Sequence, residues 1–418
     1  MDWAYLVVSI NGAAYTLNAY RPTRNNRVLF GWSFFASWVT IELAPLHLLW
    51  QVVATAFFAW KGALKTAPGR LGLAITIASW VGLLLSIRQS LAARHEIRDA
   101  LRDLRHDGRF DEPGPVKVEK DLVFAEIGGK ALKLDVYAPD VPVVEGQRLP
   151  AMVQIHGGGW VIGYKERQGQ LLMNYLAARG WVCFNIDYRL SPKATFPDHL
   201  VDVKRAIAWV RDNADRFGID PGFVAASGNS AGGHLTALAA LTDGVAEYQP
   251  GFEEADTSVQ AAVPFYGVYD FTDRNDVWPE DAINLFLSPM VMKLEPGENP
   301  EAWAAASPID QVKAGAPPFF VIHGDLDVLA PVEDARTFVE HLRAASSEPV
   351  YYLELRGAQH AFETFPSIRA NAVIEAAGHF LDAVHHAYEQ RTNGEPTAAQ
   401  VHAAVTEELG EEITDVIS

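Results

Sequence analysis

The chain has 418 residues, a single cysteine and a net charge of −18 at pH 7. One cysteine excludes a disulfide framework, and the acidic balance excludes an overall electrostatic footprint for nucleic acid. The charge is uneven: residues 1–110 carry 12 Lys/Arg against 6 Asp/Glu, and the remainder 22 against 46.

In chain order, the first segments are apolar. Trp3 to Tyr20 is weakened by Asn11 and Asn18, and Val28 to Trp60 is interrupted by Glu42, Pro45 and His47. Leu71 to Ile87 is uncharged over 17 residues, near the lower limit for spanning a bilayer. Basic residues punctuate these stretches: Arg21, Arg24 and Arg27, then Lys61, Lys65 and Arg70, then Arg88 and Arg94 onward. A signal peptide is not expected, because no basic n-region precedes the first stretch and apolar character resumes repeatedly. Residues 1–88 therefore read as a transmembrane region whose basic flanks suit anionic lipid headgroups; the alternative is a buried helical cap.

Three spans would leave the following domain cytoplasmic but put loop 61–70 outside, against the positive-inside rule. A hairpin broken near Pro45 would mend this and send the domain outward, with too few residues for two full spans. The expectation is a multi-pass membrane protein with a cytoplasmic domain. Glu42 and His47 are assigned to a bent or interfacial segment rather than to a proton or ligand site. Leu91, Ile97, Leu101 and Leu104 alternate with Arg94, Arg98, Arg102 and Arg105, a pattern for an amphipathic helix along the membrane surface or a solvated connector. Residues 89–115 form this connector and a linker, His106 to Pro115.

Strands and helices alternate over 116–390, which predicts a mostly parallel sheet covered on both sides. Lys117 to Ile127 and Ala131 to Tyr137 read as a hairpin turning at Gly128-Gly129. Ala151 to Ile155 reads as a strand ending in His156-Gly157-Gly158-Gly159-Trp160, whose glycines leave backbone N–H groups uncovered. A phosphate loop would end in Gly-Lys-Ser/Thr, which Trp160-Val161 does not supply. Cys183 falls in the apolar strand Trp181 to Ile186 as a small hydrophobe. Leu200 to Phe217 reads as a helix with Val203, Ala206, Trp209 and Val210 on one face.

Phe223 to Ala226 then leads, through Gly228-Asn229-Ser230-Ala231-Gly232, into a helix over His234 to Leu241. A serine on such a sharp strand-to-helix turn is exposed above the sheet as a nucleophile. The N–H of Ala231, with the glycine loop, would bind an oxyanion. After the strand Ala261 to Phe265, residues 268–315 form an insertion, read as a lid over an acyl pocket or a surface excursion with its own core. Pro318 to Ile322 opens into His323-Gly324-Asp325-Leu326-Asp327, and Tyr351 to Leu355 into Gly357-Ala358-Gln359-His360. His360 would take the proton of Ser230 and a carboxylate would orient it. Asp327 is preferred for that role, and Asp325 is read as a turn-bonding residue. Residues 391–418 form an acidic tail.

His156 to Trp160, Asp187-Tyr188-Arg189-Leu190-Ser191-Pro192, Gly228 to Gly233, His323 to Asp327 and His360-Ala361-Phe362 resemble the hormone-sensitive-lipase family of carboxylesterases. The stretches Pro250 to Asp256 and Pro264 to Asp270 resemble its membrane-anchored mycobacterial and actinobacterial members. The resemblance covers roughly residues 115–390. It implies an α/β-hydrolase fold with an eight-stranded sheet, a catalytic set Ser230, Asp327 and His360, and oxyanion donors Gly158, Gly159 and Ala231. It also implies hydrolysis of short-to-medium acyl or lipophilic esters at a membrane, with roles in lipid metabolism. Asn229 departs from the family's usual Asp and predicts a tuned site. The substrate would be a small-molecule or lipid ester, with membrane lipids as surroundings. No metal or cofactor is implied, since His-Glu-x-x-His, Cys-x-x-Cys and a dinucleotide glycine motif are missing from the sequence. An acyltransferase on the same acyl-enzyme and an inactive membrane binding protein are the alternatives.

Overall fold

The computed structural model describes residues 1–23, 29–100, 113–141, 146–278 and 282–392. Arg24 and Arg27, residues 101–112 of the connector and linker, and the acidic tail beyond 392 lie outside the described residues. The chain divides into two compact units. One contains Met1–Ile97 with Gly324–Leu329 and Leu355–Ala372; the other contains Arg98–His323, Ala330–Glu354 and Val373–Ser418.

The larger unit holds an eight-stranded sheet. Its strands are β1 (Val116–Ile127), β2 (Lys130–Pro139), β3 (Leu149–Ile155), β4 (Val182–Ile186), β5 (Ile219–Asn229), β6 (Ala261–Phe265), β7 (Phe319–Gly324) and β8 (Val350–Leu355). Their spatial order is β1-β2-β4-β3-β5-β6-β7-β8. The hairpin β1–β2 turns at Gly128-Gly129, both with positive φ. Pairs β3–β4, β3–β5, β5–β6 and β6–β7 are parallel. The helices of this unit are α5 (Gln170–Ala177), α6 (Asp198–Asp212), α7 (Ala214–Phe217), α8 (Ala231–Leu241), α9 (Pro300–Ala305), α10 (Val332–Ala345) and most of α11 (Ile368–Thr392).

Period-two alternation sorts the strand side chains between two helix layers. Val153, Phe184, Val224 and Val321 share a core with Val203 of α6, Leu235 of α8 and Phe338 of α10. The alternate residue Cys183 lies 3.8 Å from the Met173 carbonyl of α5, and α5 packs on α11, where a Cβ at Gly378 would strike the Tyr175 ring. Burial raises the Cys183 thiol well above its ordinary range, which keeps it an unreactive hydrophobe. The stretch read as one helix over 200–217 is broken at Asn213 into α6 and α7.

The other unit is built on four N-terminal helices: α1 (Asp2–Tyr20), α2 (Phe30–Glu42), α3 (Ala44–Trp60) and α4 (Ala67–Ala100). Their polarity is inverted relative to a water-soluble bundle. Hydroxyls and amides meet inside: Tyr5 bonds Thr55 at 3.1 Å, Thr16 meets Ser79 at 2.8 Å, and Gln51 donates to Ser79 at 2.9 Å. Small residues permit this approach, since a Cβ at Gly12 would stand 2.8 Å from Gln51 and one at Gly82 would stand 2.6 Å from Thr16. Outside, Trp3, Val7, Leu49, Val53, Ile77, Val81 and Leu84 are exposed.

Among the described residues, one helix is long and apolar enough to cross a membrane: Ala67–Ala93, within α4. Helices α2 and α3 pass the same test only as a pair, bent by 90° at Leu43, where Pro45 opens α3. The expected first span falls short because Ser9, Asn11, Gly12, Thr16 and Asn18 dilute α1 with polar and small groups. Three straight spans therefore reduce to one apolar helix and one bent pair.

The 268–315 insertion contains a π-helical segment Ile283–Met292, the short helix α9 and a 3₁₀ turn, with Leu287, Val291, Met292, Trp303 and Ile309 in the core of the larger unit. Asp334, in the first turn of α10, accepts from Trp278 Nε1 at 2.9 Å and from Asn275 Nδ2 at 3.4 Å. Burial, with help from neighbouring Asp270, raises its carboxyl to about 7. The folded state thus keeps a proton that the unfolded chain releases near pH 4, and its stability falls as pH rises from there through 7. Asp334→Asn should raise the melting temperature at pH 8 by more than at pH 5. Equal shifts at both pH values, read by scanning fluorimetry, would contradict this.

Candidate active site

Ser230 occupies the turn between β5 and α8 with φ 58° and ψ −120°, a conformation rare for a non-glycine residue. Backbone contacts enforce it: Ser230 N donates to the Phe265 carbonyl at 2.9 Å, and the Ser230 carbonyl accepts from His234 N at 3.0 Å. Glycine is required on both sides by crowding. A Cβ at Gly228 would overlap the Gly232 carbonyl, and one at Gly232 would overlap the Ile155 carbonyl. The strand-to-helix turn can close this tightly only without side chains there. At the far end of α8, the buried Lys204 ammonium donates to the Thr242 carbonyl at 2.7 Å, where a cation suits the helix dipole.

Asn229 is fully engaged below the serine. Its Oδ1 accepts from Gln154 Nε2 at 2.7 Å and its Nδ2 donates to Tyr266 Oη at 3.1 Å. At 1% exposure a neutral amide fulfils both bonds without burying a charge, which accounts for the departure from Asp.

The glycine loop follows β3. Gly158 and Gly159 have φ of 118° and 58°, and Trp160 is also positive at 60°. Gly158 carbonyl accepts from Val161 and Ile162, which curls the loop back on itself. Tyr188 Oη donates to the His156 carbonyl at 3.0 Å, and Gln168 Oε1 accepts from Gly157 N at 2.6 Å. Arg189 clamps Asp202 of α6 through a bidentate pair at 2.8 Å, so the Asp187-Tyr188-Arg189 motif fastens loop, sheet and helix. A Cβ at Gly159 would come 2.9 Å from the Phe286 ring; with Leu285 and Ile162, this exposed ring makes the surroundings of the loop apolar.

His234, one turn after Ser230, escaped the sequence reading. Its Nδ1 accepts from Trp160 Nε1 at 3.2 Å and its Nε2 donates to the Ala306 carbonyl at 2.8 Å. Burial holds the imidazole neutral, with its pKa down at about 3. It joins the glycine loop to α8 and the insertion. Its i+4 spacing from the serine was the available signal.

Asp327 and His360 belong to the other unit, on the segments that follow β7 and β8. The structure brings them together: Asp327 Oδ2 is 2.6 Å from His360 Nδ1, and both are buried. Asp327 Oδ1 accepts from Leu329 N, and the Gln359 Oε1 accepts from Val328 N and from His360 N, each at 2.8–2.9 Å. Asp325 instead accepts from Gly357 N at 2.6 Å, a loop-bonding role as expected. Ser230, Ala231, Gly158 and Gly159 lie in the larger unit. Among the described residues no cluster of His, Cys, Asp and Glu could hold a metal ion.

This fold and these motifs define an esterase of the α/β-hydrolase type. A family model, BD-FAE, matches residues 134–342. The chain is 40% identical over 94% of its length to the probable carboxylic ester hydrolase LipM of Mycobacterium tuberculosis, covering 96% of that protein. It is 42% identical over 71% of its length to the esterase LipQ of the same organism, covering 69% of that protein. Among solved structures, the butyrate-bound esterase Est2 of Thermogutta terrifontis matches with a TM-score of 0.54 and 29% identity, over 67% of this chain and 97% of that one. The chain belongs to this family of carboxylic ester hydrolases and is itself one.

Removing the Asn229 side chain strands buried partners. Asn229→Ala should cost about 1–3 kcal/mol of stability, read by denaturant unfolding of the purified protein; an unchanged midpoint would contradict the bonding described.

Proposed function

We propose that the protein is a membrane-tethered serine carboxylesterase that works through an acyl-enzyme. The observation that carries the reading is the 2.6 Å Asp327–His360 bond. An aspartate on Nδ1 holds that nitrogen protonated, so Nε2 is the base and the developing imidazolium is stabilised. His360 takes the proton from Ser230 as its Oγ attacks the ester carbonyl, then passes it to the leaving alkoxide. Gly158, Gly159 and Ala231 donate N–H groups to the oxyanion. Water then attacks the acyl-Ser230 ester, His360 again serving as base, and the acid leaves. The domain boundaries that go with this reading are a helical anchor to residue 88, a connector to 115 and a hydrolase domain over 116–390.

The apolar surroundings of the glycine loop and the butyrate held by the Est2 relative support short-to-medium acyl chains. The inverted polarity of the N-terminal helices supports the tether. Interiors of small and hydroxylic residues and exteriors of Leu, Val, Ile and Trp suit hydrocarbon rather than water. The apolar helix of α4 crosses the bilayer, and the bent α2–α3 pair enters it or lies at its surface. The domain is placed on the cytoplasmic side, and lipid esters are within its reach.

With p-nitrophenyl esters from acetyl to palmitoyl, turnover should peak at short or medium chains. Ser230→Ala should abolish it, and Asp327→Asn should lower kcat by roughly 10⁴-fold through the wrong tautomer. Activity that survives Ser230→Ala would contradict the mechanism. In cell fractionation, the protein should resist alkaline carbonate and be released by detergent; release by carbonate alone would contradict the tether.

A further inference from the structure

One face of α2 lies along the segment that carries His360. Phe34, Ser37, Trp38 and Glu42 recur at helical spacing, and each meets that segment in turn. The Phe34 ring stands edge-on to the His360 imidazole, with centroids 6.5 Å apart. Ser37 Oγ accepts from Gln359 Nε2 at 3.4 Å, and Trp38 Nε1 donates to the Ala361 carbonyl at 2.9 Å. Trp38 also packs on Phe365 at 4.8 Å. Ala361 has φ 60°, a costly conformation for alanine that persists only where surroundings dictate it; the Trp38 bond is one such restraint.

At the end of α2, Glu42 Oε1 pairs with Arg369 Nη1 at 2.7 Å, and Glu42 Oε2 accepts from Ser367 Oγ at 2.7 Å. Both charged side chains are almost fully buried. Arg369 in turn donates to the Gly357 carbonyl at 3.1 Å and to the Arg356 carbonyl at 3.2 Å. These carbonyls sit in the turn just before His360, and the next residue's carbonyl, on Ala358, accepts from Leu326 N beside Asp327. An apolar pair would fill the Glu42–Arg369 space at lower desolvation cost. What it could not do is hold those two carbonyls.

We propose that α2 is a working part of the active site, with Glu42 a positioning residue that acts through Arg369 on the turn that aims His360. The inference rests on His360 being the catalytic base. Glu42 neutralises the guanidinium, the guanidinium fixes the 356–357 carbonyls, and the fixed turn aims the imidazole held by Asp327. The N-terminal helices are then required for turnover itself, beyond any tether to lipid. A cavity of about 200 Å³ opens beside Glu42, between the α2–α3 bend and Pro366–Ile368; it is large enough to admit a small carboxylate.

The test uses the full chain in detergent with p-nitrophenyl butyrate. Glu42→Ala should lower kcat roughly 10- to 100-fold while KM stays within about twofold, as misaligned catalytic groups do. Formate should restore part of that loss by taking the place of the missing carboxylate. Trp38→Phe, which keeps the ring and loses the N–H, should lower kcat several-fold with the same pattern and serves if Glu42→Ala does not fold. Wild-type kcat in both variants, or a Glu42→Ala loss that formate leaves untouched while KM rises in step, would overturn the proposal. A Ser230→Ala control that keeps turnover would overturn the serine mechanism beneath it. A dead control beside fully active Glu42→Ala and Trp38→Phe would overturn this inference alone.

Discussion

The strand-to-helix turn at Ser230 is the constraint on which the larger unit depends. A serine at φ 58° is held there by backbone bonds on both sides, and glycines 228 and 232 are pressed against carbonyl oxygens that leave no room for a methyl group. The parallel pairs β3–β5 and β5–β6 fix where that turn emerges, and α8 carries His234 back to the glycine loop through Trp160. Strain at Ser230 is thus borne by the central strands of the sheet, where β5 is paired on both sides.

Ser230 and the glycine loop belong to the sheet unit, whereas Asp327 and His360 group with the N-terminal helices. Asp327 and His360 lie on loops that bond to one another, and the His360 loop also bonds to α2. Helix α2, which a sequence reading assigns to a membrane anchor, therefore also packs around the His360 imidazole.

Much of the sheet unit was legible from sequence. Each buried strand is a short apolar run bounded by turn residues, and β6 falls on Ala261–Phe265 as read. The Asp327–His360 pairing followed from order and from the position of each residue just after a strand. Other features were hidden because they are made by contacts distant in sequence. Glu42 looked like a blemish in an apolar stretch, since its partner Arg369 lies 327 residues away. The break at Leu43 could be placed near Pro45, yet its 90° angle depends on packing. Asn229 was visible as a departure from pattern, but its reason lies in Gln154 on β3 and Tyr266 just after β6. The expected straight spans were too many because Ser9, Gly12 and Thr16 further dilute α1 and because α2 and α3 are bent apart.

Covalent trapping tests the central claim most directly. The detergent-solubilised protein would be treated with an aryl dialkyl phosphate, and the adduct located by peptide mass spectrometry. The account predicts one adduct per chain, on Ser230, formed with loss of esterase activity and much slower in His360→Ala. An adduct on any other residue, or full inactivation with Ser230 unmodified, would contradict it.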